Sequence, residues 1–167
     1  GRDFFAQREA GCWTYRGPGL IWPALPLPTM VGAYQLRNAA GALAVLEALH
    51  KRLPVSEPAI RQGLAAARVP GRFQCIAHVP DVILDVAHNP DSARVLAANL
   101  REFPVAGRTL AVCGLLADKD VASVLGELRD SFDAWIAAST DGPRGLDDAR
   151  LAAKAQLLGI AMRCGGE

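Results

Sequence analysis

The sequence predicts an α/β protein, with a doubly wound, mainly parallel sheet over residues 71–167 and a hairpin plus two helices over residues 1–70. Three observations predict it. Val82, Ile83 and Leu84 form an apolar run ending in Asp85, and a helix start follows at Asn89-Pro90. Two further apolar runs, TLAVCGL (109–115) and AWIAA (134–138), are each followed by a helical pattern. Pro70-Gly71 stops a helix and turns the chain, which sets the expected domain boundary there.

Composition bounds what the chain can be. Of 167 residues, 51% are apolar and 21% charged, enough to bury a core. The net charge of +1 gives no electrostatic reason to expect nucleic acid or a membrane surface as partner. No long apolar segment reads as a transmembrane helix, and GRDFFAQREAG lacks the apolar stretch of a signal peptide. Cys12, Cys75, Cys113 and Cys164 are far apart, with no CxxC pair and no His read at zinc spacing, so a reducing cytoplasm is expected.

In chain order, Phe4-Phe5, Cys12–Tyr15 and Leu20–Trp22 read as β pieces, with a hairpin turn at Gly17-Pro18-Gly19. The stretch ALPLP (24–28) is too rich in Pro for a central strand and reads as an extended connection. Residues 31–50 read as a helix with Leu36, Leu43, Leu46 and Leu49 on its apolar face. Gln35 and Asn38 share another face, either simply solvated or set to hydrogen-bond a ligand. A second helix, residues 56–68, has Ser56 as N-cap and Ile60, Leu64 and Ala67 inward. Arg72 follows the break. An Arg there is either a solvated or paired residue, or a fixed guanidinium suited to a phosphate or ribose.

The segment VILDVAHNPDSARVLAANL (82–100) reads as buried strand, tight loop and helix, half of a βαβ unit. Asn89 is the expected N-cap, Pro90 the first helical residue, and Asp91 complements the helix dipole. Val95, Leu96 and Leu100 are expected inward, with Ala98 on the less crowded side. Asp85 and His88 then stand at the carboxyl end of a strand facing a helix N-terminus, where open α/β sheets bind ligands. The competing reading is ordinary turn chemistry, with Asp85 tying loop amides together and His88 hydrogen-bonded within the loop. Farther on, Asp118 is expected to cap a helix whose inner face is Val121, Val124, Leu125 and Leu128, and a final helix covers about residues 146–158.

DVAHNP resembles the DxAHNP element of the ATP-dependent ligases that attach glutamate to folates, the bifunctional dihydrofolate synthase/folylpolyglutamate synthase family of the Mur ligase superfamily. PGRFQ, whose Arg72 precedes Asp85 by 13 residues, resembles the hinge of the same family, and the two motifs at one spacing are more specific than either alone. QLRNAAGALAVLEAL is similar to the segment in which a family Asn contacts ATP. Asp118-Lys119-Asp120 resembles the family's DKD element, and its plainer reading is a charge-balanced helix start; Arg144 in GPRG also resembles a family feature without an assigned role. The sequence departs from the common pattern at Val86, where many members carry Gly, and at Gln74, often an acid.

The resemblance implies a Rossmann-like carboxyl-terminal ligase domain preceded by the tail of a central ATPase domain, truncated at its end. It implies ATP and Mg2+ as cofactors, with L-glutamate and dihydropteroate or folate as substrates. Asn38, Arg72 and Asp85 would contact the nucleotide, and His88 would lie near the reacting end and order glutamate or phosphate. A Gly-rich phosphate loop ending in Gly-Lys-Ser/Thr is not found in these 167 residues, so the piece alone is expected to be inactive and its Mg2+ ligands to lie elsewhere. A monomer is expected.

Three rival readings differ in what they require. A Mur ligase of cell-wall precursor synthesis shares the fold and a similar AHxP loop. A non-catalytic dinucleotide-binding domain calls for GxGxxG after its first strand, whereas residues 85–90 hold no glycine. An interaction domain predicts that Arg72, Asp85 and His88 are freely replaceable.

Overall fold

The computed structural model describes residues 3–166, and the chain divides into two compact units between Leu84 and Asp85. The expected boundary at Pro70-Gly71 falls inside the first unit, at a chain reversal where Gly71 takes φ +67° and Phe73 φ +45°.

The first unit begins with an antiparallel meander, β1 (Phe5–Arg8), β2 (Cys12–Arg16) and β3 (Ile21–Pro26), in the order β1-β2-β3. Two helices follow, α1 (Tyr34–Leu49) and α2 (Glu57–Ala66). Trp13, Tyr15 and Leu25 from the sheet pack with Ala40, Leu43 and Ile60 from the helices. Ser56 caps α2 as expected, its side chain accepting from the Ala59 amide. The expected connection at residues 24–28 is corrected in part, since Ala24–Pro26 completes β3. Proline is tolerated because β3 is an edge strand, and a register shift between Trp13 and Tyr15 lets Pro23 and Ala24 bulge, with Ala24 at φ +51°. On α1 the stripe is as read at Leu43, but Leu49 is exposed and Gln35 is buried.

β4 (Gln74–Ala77) and β5 (Val82–Leu84) close this unit as a two-stranded antiparallel pair. The expected buried strand at residues 82–84 is therefore corrected: Val82 is 39% and Leu84 46% exposed. A three-residue strand hydrogen-bonded only to β4 among the described residues is not enclosed by a sheet, whatever its hydropathy.

The second unit runs α3 (Pro90–Glu102), β6 (Leu110–Cys113), α4 (Val121–Leu128), β7 (Ala134–Ala137), α5 (Asp148–Leu157) and β8 (Met162–Cys164). β6, β7 and β8 form a parallel sheet in that order, the α/β arrangement expected. β8 lies beyond the elements expected from the sequence, because a three-residue strand with Arg163 at its centre carries no apolar period. Trp135 and Ala137 of β7 meet Val124, Leu125 and Leu128 of α4 and Leu151 and Ala155 of α5 in one core. Phe132 stands edge-on to Trp135 at 4.8 Å between ring centroids.

Two details of the helices are corrected. The residues of α3 that are fully buried are Ala93, Ala97 and Asn99, with Val95, Leu96 and Leu100 only partly covered. Small alanines let α3 approach α4 closely, so the contact line follows Ala93 and Ala97 rather than the bulkiest side chains. The cap of α4 is Asp120, not Asp118: Asp120 Oδ1 accepts from the Ser123 amide at 3.1 Å. The Ser123 hydroxyl, and then this amide, hold the Asp120 carboxyl below the usual carboxylate range. Among the described residues, no helix is long and apolar enough to cross a membrane.

Candidate functional site

The loop from Asp85 to Asn89 is built by its own side chains. Asp85 Oδ1 accepts from the Ala87 amide at 2.8 Å, an Asx-type turn that bends the chain directly after β5. The His88 ring lies 2.9 Å from the Val86 carbonyl through Nδ1. A carbonyl only accepts, so Nδ1 carries a proton and donates to it, which leaves Nε2 for another partner. The turn-chemistry reading is thus correct for these contacts, and they also fix the orientation of both side chains.

Asn89 ends the loop and starts α3. Its Oδ1 accepts from the Ser92 amide at 2.9 Å, while Ser92 Oγ accepts from the His88 and Asn89 amides, each at 3.1 Å. This reciprocal box satisfies donors that a helix start otherwise leaves open. Pro90, having no amide, sits where none is needed. Arg94, one turn into α3, bonds Glu127 of α4 at 2.7 Å and Asp91 at 3.0 Å, which ties the helix start to its neighbour. Glu127, then Asp91, raise the Arg94 guanidinium further above its ordinary value.

The loops after β6 and β7 lie at the carboxyl ends of parallel strands, the edge where such sheets take ligands. They are locked to each other. Thr140 Oγ1 accepts from the Leu146 amide at 2.8 Å and donates to the Leu115 carbonyl at 3.0 Å. The Arg144 carbonyl accepts from the Ala117 amide at 2.9 Å, and its guanidinium meets Asp118 Oδ2 at 3.3 Å. Gly145 is required at this crossing: a Cβ there would stand 2.0 Å from the Thr140 carbonyl oxygen. Sequence reasoning missed the Thr140 bridge and the Asp118–Arg144 pair. For Thr140 the sequence signal was a hydroxyl just past the carboxyl end of a strand; Asp118 and Arg144 stood in motifs that resemble family features, but nothing in either motif paired them.

The remaining predicted site residues belong to the first unit. Arg72 is exposed, flanked by buried Gly71 and by Phe73 at 4% exposure, so its neighbours anchor the backbone while the guanidinium faces water. Asn38 is exposed on α1, and its Nδ2 donates to Gln35 Oε1 at 3.3 Å. Gln35, 4% exposed, thereby orients the Asn38 amide, as their shared face implied. Asp85 and His88 share one loop; Asn38 and Arg72 stand on separate elements of the first unit.

Residues 71–164 match the family described as Mur ligase, glutamate ligase domain. The dihydrofolate synthase/folylpolyglutamate synthase of Escherichia coli strain K12 is 49% identical over 121 residues, covering 72% of this chain and 27% of that protein. Among solved structures, E. coli FolC in complex with DHPP and ADP matches with TM-score 0.82 and 40% identity, over 98% of this chain and 37% of that one. A bifunctional folylpolyglutamate synthase/dihydrofolate synthase with Mn, AMPPNP and L-glutamate bound matches with TM-score 0.80 and 39% identity, over 96% of this chain and 36% of that one. The chain thus spans about a quarter to a third of the length of the relatives it matches.

Proposed function

The chain belongs to the Mur ligase family through its glutamate ligase domain, and from that membership we propose that it is part of an ATP-dependent amide ligase adding L-glutamate to dihydropteroate or folates. In this reading a substrate carboxylate attacks the γ-phosphorus of ATP, forming an acyl phosphate and releasing ADP. The amine of L-glutamate then attacks the acyl carbon, phosphate leaves, and the amide keeps the new C–N bond. The protein's part is positioning and neutralisation of phosphate charge.

The observation that carries the reading is the loop DVAHNP, in which Asp85 and His88 are each held by a backbone contact ahead of a capped helix. The donor set fits a nucleotide. The Arg72 guanidinium suits phosphate or ribose oxygens, the Asn38 amide can donate and accept at once, and the Asp85 carboxylate accepts hydroxyls. His88 presents Nε2 toward glutamate or phosphate. These groups bind and orient; none is assigned as a nucleophile. The magnesium that accompanies ATP fits the chain less well. It demands oxygen ligands, whereas the one candidate metal group among the described residues contains a thiol and an imidazole, so no step here runs through the ion.

We place the boundary between the tail of the ATPase domain and the ligase domain at Gly71, where the family match starts. Four free cysteines among the described residues, none disulfide-bonded, support the reducing cytoplasm as the compartment. A monomer acting on small molecules is the proposed working form.

The test uses the intact protein that carries this chain. ADP release is followed with dihydropteroate or a reduced folate as acceptor, with and without L-glutamate. Release that requires both substrates upholds the folate ligase. Release only with a cell-wall precursor moves the protein to the other branch of the superfamily.

A further inference from the structure

Away from the loop of Asp85 and His88, the turn between β4 and β5 gathers three side chains of a different chemistry. Cys75 lies on β4, and His78 and Asp81 lie in the turn, so C-x-x-H-x-x-D places all three within seven residues. Their ligating atoms lie within 4.8 Å of one another. Cys75 Sγ is 3.6 Å from His78 Nδ1 and 3.9 Å from Nε2, and the same Nδ1 is 2.8 Å from Asp81 Oδ1.

Two uses of a Cys-His-Asp group can be compared. A nucleophilic triad needs the thiol on one ring nitrogen and the carboxylate on the other. Here the carboxylate takes Nδ1 while the sulfur lies nearly equidistant from the two ring nitrogens, so the group is not arranged for proton transfer from sulfur to a ring oriented by Asp81. A metal ion needs the three atoms to converge from three sides. With metal–sulfur and metal–nitrogen distances of about 2.3 and 2.0 Å, a tetrahedral ion sets its S···N edge at about 3.5 Å, close to the 3.6 Å between Cys75 Sγ and His78 Nδ1, and the exposed ring has to turn so that Nε2 moves away from the sulfur. The N···O edge must open by about half an ångström, as the ion takes the place of the proton between His78 and Asp81.

We propose that Cys75, His78 and Asp81 form a surface site for a zinc-class divalent transition ion, with water completing the coordination. Thiolate and imidazole select such an ion over magnesium. One thiolate and one carboxylate neutralise the two charges of the cation, and binding releases the thiol proton while the His78 proton moves to Nε2. All three residues are exposed, which gives the ion a path in, and an exposed pair such as His78–Asp81 contributes little to stability. The site does not depend on the ligase reading, because none of its residues is among the proposed nucleotide contacts.

Zinc titration of the nucleotide-free intact protein, in saturating magnesium and a phosphine reductant, tests the site. One equivalent should bind, and Cys75→Ser, His78→Ala and Asp81→Asn should each weaken it at least about tenfold, the scale at which even outer-shell partners act. Cobalt substituted at the site should give a sulfur-to-metal charge-transfer band that Cys75→Ser abolishes, with thermal unfolding of the metal-free variants unchanged. No saturable zinc binding overturns the proposal. So does binding that survives in both His78→Ala and Asp81→Asn, which would mark a lone thiolate.

Discussion

The Tyr15 hydroxyl of β2 donates to Glu47 Oε2 of α1 across 2.7 Å, and Glu47 Oε1 accepts from the Gly19 amide at 2.6 Å. One carboxylate therefore holds both the strand and the turn of the Gly17-Pro18-Gly19 hairpin onto the helix. Burial, and then this carboxylate, push the Tyr15 phenol well above its ordinary value.

Glu47→Ala should destabilise the first unit by about 1–3 kcal/mol, because it leaves the buried Tyr15 hydroxyl without its acceptor. Urea denaturation followed by tryptophan fluorescence measures it, since Trp13 and Trp22 lie in this unit. A midpoint equal to that of the parent chain would show that the contact contributes nothing.

In the second unit, Asn89→Ala removes the acceptor of the Ser92 amide and should cost about 1 kcal/mol. Asn89→Asp should recover most of it, because aspartate caps equally well and its charge suits the helix N-terminus. Equal losses in both variants would assign the effect to something other than capping.

For the intact protein, Arg72→Ala or Asp85→Ala should raise the KM for ATP about tenfold, the loss of roughly 1.4 kcal/mol of binding, with a smaller change in the KM for folate. Initial-rate kinetics over both substrates separates the two. Unchanged ATP kinetics in both variants would remove these residues from the nucleotide site.

Burial pushes the Cys113 thiol up to about 11, whereas Cys75 is exposed. Thiolate is the reactive form, so alkylation at pH 8 should label Cys75 and leave Cys113 untouched. The raised value means the folded state favours the protonated thiol. Its contribution to stability is present below the ordinary value of 9.0 and is lost as pH rises through about 11. Peptide mapping after timed alkylation reads the reactivity, and rapid labelling of Cys113 at pH 8 would contradict it.

What was legible in the sequence was local. Asn89, Pro90 and Ser56 announce helix starts because capping depends on a residue and its next three neighbours, and the same proximity let Asp85 and His88 be placed on one loop. Gln35 and Asn38 meet because three residues separate them on a helix.

Tertiary structure decided the rest. Nothing in Val82–Leu84 tells which strand it pairs with, and pairing with β4 leaves it exposed. Ala93 and Ala97 are buried ahead of Val95 because α4 packs closest along the alanines. Asp118 and Asp120 are chemically alike, yet Asp120 caps α4 and Asp118 meets Arg144, brought there by a loop 26 residues on. The sequence by itself determined helix starts, turns and apolar periods, which depend on nearest neighbours. Which faces are covered, and which loops meet at the carboxyl ends of β6 and β7, depend on groups far apart in the chain that only the folded packing brings together.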